Sequence, residues 1–287
     1  MPYSLALLLV FGTFFVLYFT VQLFIWLQHK VLLLRLKKAP FPRAYQEILL
    51  KTPFYKYLDA DDKTLLHYAI LRFINEKEFI GLNDMQITDE IRIIIAFYAC
   101  LLLLHIKKND GYGNLTTILV YPYEFVMHET KSYGGIYTKE RFILEGQSSN
   151  DTVVISWHNA KKEAYQMHHQ NVILHEFTHE IDFMSGEIDG VPPMHESLYF
   201  EWTKVMHHEY KKLREKSLAG RYFGKYEVIG NYAATNEAEF FAVVTERFFV
   251  SPAPLKKHFP DIYKELQAFY KTDPISLFSH QNAIMKK

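Results

Sequence analysis

The chain has 287 residues, 32 basic and 32 acidic side chains for a formal net charge of zero, and 49% hydrophobic residues. Such a balance argues against direct binding of nucleic acid or another polyanion, which calls for concentrated positive charge. A single cysteine, Cys100, excludes an intrachain disulfide, and its setting among leucines reads as a small buried apolar residue.

The N-terminus comes first in chain order. No side chain from Met1 to Gln28 is formally charged, and residues 4–27 read SLALLLVFGTFFVLYFTVQLFIWL, long enough to cross a bilayer as a helix. Tyr3 and Trp26 stand near its ends, and Lys30, Arg35, Lys37, Lys38 and Arg43 follow before any acidic residue. By the positive-inside rule the basic flank stays in the cytoplasm. A cleaved signal peptide would need a basic start and a small-residue cleavage site, and neither is present. Residues 1–28 therefore read as a single-pass anchor in the cytoplasmic membrane and 29–43 as a basic juxtamembrane linker ending in APFP, where proline discourages helix. Residues 44–287 are then one domain facing the cytoplasm.

Within that domain, residues 44–108 read as helical. The apolar run from Ile93 to Ile106, bounded by Arg92 and Lys107, is too short to span a membrane and predicts a buried core helix. From 110 to 157, Gly111, Gly113, Gly134, Gly135 and Gly146 separate β-branched and aromatic runs such as TTILVY and TVVISW, the pattern of a small sheet. The last of these, at 152–157, is a candidate to line a cleft and pair with an extended substrate. Helices return across 170–275, with one expected at 171–185, capped by Asn171 and stopped at Gly186, and another near 236–249.

The helix at 171–185 carries HEFTHEID at 175–182. Residues i and i+4 share a helix face, so His175 and His179 can offer ring nitrogens to one metal ion. Glu176 lies about 100 degrees round the helix, where a general base for an activated water belongs. In a chain with 14 His a chance HExxH arises roughly once in twenty to thirty sequences, so context has to support it. Val172, Ile173, Phe177, Ile181 and Met184 supply that context by recurring at helical spacing.

A catalytic zinc takes a third protein ligand from elsewhere. The metzincin pattern needs Gly at 182 and His at 185, but Asp182 and Ser185 stand there, which excludes that class. A glutamate on a later helix remains, and by type Glu201, Glu209, Glu239 and Glu246 all qualify. His195, His207 and His208 also qualify by residue type. Asp182 stands on the face of His179, placed either to accept a hydrogen bond from its second ring nitrogen or to face solvent or another helix.

The blocks NVILHEFTHEIDFMSGEIDGVP and NYAATNEAEFFAVVTERFFVSPAPLKKHFPDIYKELQAFYKTDP resemble the Mlc titration factor A family of zinc metallopeptidases. ITDEIRIIIAFYACLLLL, ILVYP and VVISW match in the same order, so the likeness spans roughly residues 40–275. The stretch SSNDT before VVISW is longer and more polar than the family's Gly-Pro connection. The resemblance implies an α+β, zincin-like domain holding one zinc ion on His175, His179 and Glu239, with Glu176 as base. It also places a tyrosine seven residues before the glutamate ligand, and Tyr232 stands there to hydrogen-bond the oxyanion. Peptide or protein substrates are the implied partners. The family's association with a sugar-responsive transcriptional repressor implies a second expectation, a regulatory binding protein for which hydrolysis is secondary.

Overall fold

The structure, a computed structural model, describes residues 2–106, 111–123, 151–166, 170–220 and 224–277. Gly134, Gly135, Gly146 and most of SSNDT lie outside the described residues. The chain forms two compact units, Met1–Phe41 and Pro42–Lys287.

The first unit is one helix, α1 (Pro2–Lys38), with every described side chain from Leu9 to Trp26 exposed. It is the one helix among the described residues long and apolar enough to cross a membrane. At 1.5 Å per residue it runs about 55 Å, well beyond a bilayer's hydrocarbon core of about 30 Å. Helix thus continues through most of the stretch expected to be linker, and the chain bends only at residues 39–42.

The second unit packs helices around a small sheet. α2 (Arg43–Leu49), α3 (Pro53–Tyr57) and α4 (Ala60–Glu76) come first, and Asp59 caps α4 by accepting from the Asp62 N–H at 2.8 Å. The strand β1 (Glu78–Gly81) then appears inside the stretch expected to be helical. The core helix is α5 (Asp89–Leu103), in which every residue from Ile93 to Leu103 is buried, Cys100 included. Burial pushes the Cys100 thiol up, away from the thiolate a nucleophile needs.

Strands β2 (Thr117–Tyr121) and β3 (Thr152–Ser156) occupy the two runs read as strands. All pairing is parallel in the order β1-β2-β3, with Ile118 opposite Phe79 and Val153. Among the described residues β3 is an edge strand. It leads into α6 (Trp157–Tyr165), and α7 (Val172–Phe183) packs against both β3 and α5.

α8 (Glu196–Leu218) follows, then two short 3-10 turns, then α9 (Glu237–Val250), α10 (Pro252–His258) and α11 (Pro260–Tyr270). Helix α9 is buried on nearly every face and lies along α7. Among the described residues the fold is mostly helical with a small sheet, and that sheet is wholly parallel, which departs from the antiparallel sheet of a typical α+β domain.

Candidate metal centre

Two asparagine caps set the geometry. Asn171 accepts from the Leu174 N–H at 3.0 Å and starts α7, and Asn236 accepts from the Glu239 N–H at 2.8 Å and starts α9. The first cap leaves His175 and His179 one turn apart on the face of α7 that meets α9. The second places Glu239 in the first turn of α9, where the helix N-terminus favours a carboxylate.

The three side chains converge. His175 Nε2 lies 3.0 Å from Glu239 Oε2, His179 Nε2 lies 3.2 Å from His175 Nε2, and His179 Nε2 lies 3.6 Å from Glu239 Oε1. One ligand atom from each falls within 4.8 Å of the others, a group able to hold a metal ion. Of the expected alternatives, Glu201 is exposed beside Lys204, and Glu209 pairs with Lys225 at 2.9 Å. His195 caps α8, and His207 and His208 are exposed. Glu246 lies behind the cluster, its Oε1 3.2 Å from His175 Nδ1.

The electrostatics of this group ask for positive charge. Burial alone would lower the His175 pKa, but hydrogen bonds to Glu239 and Glu246 and the charges of Glu246 and Glu176 hold it well above the imidazole range. Burial would raise Glu239, yet its hydrogen bonds with both histidines outweigh that and hold it far below the carboxylate range. Two Nε2 atoms facing each other satisfy neither lone pair unless a proton or a cation sits between them. A divalent cation fits that demand, and two imidazoles with one carboxylate is an established donor set for catalytic zinc.

Glu176 is half-buried on α7. Burial pushes its carboxyl up, attraction to His175 and His179 opposes this, and the charges of Glu239 and Glu246 add to the rise. A raised carboxyl is a stronger base than a free one.

Tyr232 and Glu239 lie on different elements: Tyr232 sits on the 3-10 turn Asn231–Ala234, after Gly230 at φ 103°, and α9 begins only at Glu237. The turn nonetheless brings the Tyr232 ring to 5.9 Å from the His175 ring, with 44% of its surface exposed.

Asp182 does not appear as a hydrogen-bond partner of His179. Fully buried, it accepts from the Gly190 N–H at 2.7 Å, while its Oδ1 finds no partner. Burial pushes its carboxyl up to about 6 against the pull of that N–H. Gly190 suits this role because its φ is +81° and a Cβ there would lie 2.7 Å from the Glu237 carbonyl oxygen. Its own carbonyl accepts from Trp202 Nε1 at 3.1 Å. The segment Glu187–Gly190 thus links the end of α7 to α8 and to the start of α9.

The chain is similar to known proteins over most of its length. The chain is 35% identical over 251 residues to the uncharacterized protein slr2042 of Synechocystis sp., covering 84% of this chain and 88% of that one. It is 32% identical over 220 residues to Mlc titration factor A of Pectobacterium atrosepticum, covering 74% and 80%. For the protein of that name in Edwardsiella ictaluri the identity is 29% over 229 residues, covering 78% and 85%. Residues 25–271 match the model of the glucose-regulated metallo-peptidase M90 family, a span that contains α2 to α11, the HExxH helix and Glu239. The chain belongs to the glucose-regulated metallo-peptidase M90 family.

Proposed function

We propose that the protein is a membrane-anchored, single-zinc metallopeptidase of zincin type that hydrolyses peptide bonds on the cytoplasmic side. The observation that carries the reading is the convergence of His175 Nε2, His179 Nε2 and a Glu239 carboxylate oxygen within 4.8 Å, with Glu176 next in sequence to the first.

His175, His179 and Glu239 would hold one zinc ion. When bound, zinc supplies the Lewis acidity that makes a water nucleophilic near neutral pH. Glu176 takes the proton from the attacking water and delivers it to the leaving amine, a role suited to a carboxyl raised by burial. Tyr232, exposed and beside His175, donates its phenolic proton to the oxyanion of the cleaved carbonyl. The edge of β3 offers backbone groups to an extended peptide substrate.

Replacing Glu176 by Gln tests the mechanism in the full-length chain. Zinc content should stay at the wild-type level while hydrolysis of a peptide library falls by about a hundredfold or more. Wild-type turnover by Glu176→Gln would overturn it.

The anchor reading rests on α1, exposed along its apolar length with Arg35, Lys37 and Lys38 in its last turn. Protease added outside intact cells should leave residues 44–287 uncut, and digestion of that domain would reverse the orientation.

The relatives named Mlc titration factor A support a second output, capture of a transcriptional repressor. Partner capture that survives Glu176→Gln would separate that role from hydrolysis.

A further inference from the structure

Glu246 was a rival for the third ligand position, and its place in the structure gives it a different task. It is 6% exposed, in the third turn of α9 and seven residues after Glu239. Seven residues are about two turns, so Glu239 and Glu246 leave one face of α9 about 10 Å apart along its axis. The His175 ring fills the space between them. Its Nε2 lies 3.0 Å from Glu239 Oε2 and its Nδ1 lies 3.2 Å from Glu246 Oε1.

An imidazole can give a lone pair to a metal from one nitrogen while the other keeps its proton, and the partner of that second nitrogen decides which is which. The Nε2 of His175 faces His179 Nε2 at 3.2 Å and Glu239, so this nitrogen must stay unprotonated for coordination. An acceptor at Nδ1 achieves that by keeping the proton on the far side of the ring. Burial sharpens the effect: the side chains of His175 and Glu246 are both only 8% exposed. Bulk water therefore competes poorly with the carboxylate for the Nδ1 proton.

We infer that Glu246 is the positioning residue of the metal centre: its carboxylate accepts the Nδ1 proton of His175, fixing the ring's tautomer and orientation so that Nε2 is presented to the zinc. The inference rests on the zinc reading proposed above. Glu246 does not touch substrate, and its effect is exerted through His175. One helix thus supplies both the direct carboxylate ligand and the carboxylate that prepares an imidazole ligand, with the His175 ring held between them.

Zinc affinity of the full-length chain, measured by competition with a chelator, tests this separately from activity. Glu246→Ala should bind zinc about 10- to 100-fold more weakly than wild type. Glu246→Gln keeps the length and an acceptor oxygen, so it should stay within about threefold of wild type, whereas Glu246→Asp keeps the charge, loses the reach and should fall between Gln and Ala. In zinc-loaded wild-type protein labelled with nitrogen-15 histidine, the His175 signal should show a proton on Nδ1.

Unchanged affinity in Glu246→Ala, with affinity lost in a His175→Ala control, would overturn the inference and leave the zinc site standing. Wild-type protein that binds no zinc would remove both. Should Glu246→Ala fail to fold by circular dichroism, the Gln and Asp variants decide: wild-type affinity in Asp with loss in Gln means charge alone matters, and the positioning role falls.

Discussion

Helices α7 and α9 start alike and end up doing different work. Each begins with an asparagine whose side chain accepts from the backbone N–H three residues on. Helix α7 is amphipathic. Ile173, Leu174, Phe177 and Ile181 are buried, while Glu176 and His179 remain partly open. Helix α9 has no such open face, since Ala238 and every residue from Phe240 to Val250 are buried. A helix buried all round can present a charged group to solvent most readily at its first turn, and Glu239 stands there. The comparison separates a surface that carries chemistry from a scaffold that delivers carboxylates to it.

This contrast predicts a graded set of losses. The largest belongs to Glu239→Ala, which removes a direct ligand. Zinc affinity in the full-length chain should fall by more than the roughly 100-fold that losing an outer partner costs, and hydrolysis should drop to background. Wild-type affinity in this variant would mean that α7 alone holds the metal and that α9 is only packing. Tyr232→Phe comes next, since Tyr232 lies on neither helix. Measured by steady-state kinetics, kcat should fall about 100-fold with KM little changed, and a change in KM alone would reassign the phenol to substrate binding.

The smallest effect lies at the end of α7. Asp182 has a folded pKa of about 6 against an ordinary value of 3.8. A carboxyl raised by folding contributes stability that is fully present below about pH 4 and lost as pH rises through 6. Above that range the buried, half-satisfied carboxylate weakens the fold by up to about 3 kcal/mol. Asp182→Asn should keep the bond from Gly190, unfold at a higher temperature than wild type at pH 8, and unfold at a similar temperature at pH 4. Lower stability of Asp182→Asn at pH 8 would show that the buried carboxylate is compensated by a partner there and that its charge does not weaken the fold.

The same contrast explains what could be read from the sequence. His175, Glu176 and His179 lie within five residues, so one helical turn relates them and the Asn171 cap announces the helix. The buried α5 was equally plain, because its apolar run is continuous and too short to span a membrane. Glu239 could not be told from Glu201, Glu209 or Glu246 by type, since only the packing of α9 on α7 distinguishes them, and the family resemblance made that choice. Tyr232 was named by the resemblance alone, and Gly230 and Asn236, a glycine at φ 103° and a helix cap, mark a break on each side of it. Strand β1 was missed because four residues of EFIG follow a 17-residue helix with no glycine or proline at the join. Its pairing with β2, Glu78 opposite Thr117 through Gly81 opposite Val120, is what makes it a strand.

The central claim is that one zinc ion, held between the two helices, is required for peptide hydrolysis. Stripping the full-length chain with a chelator and titrating zinc back while following cleavage of a peptide library measures this directly. Activity should be absent from the stripped chain, return with added zinc and saturate at one equivalent. Hydrolysis that persists in the stripped chain, or that needs two equivalents to return, would contradict the account.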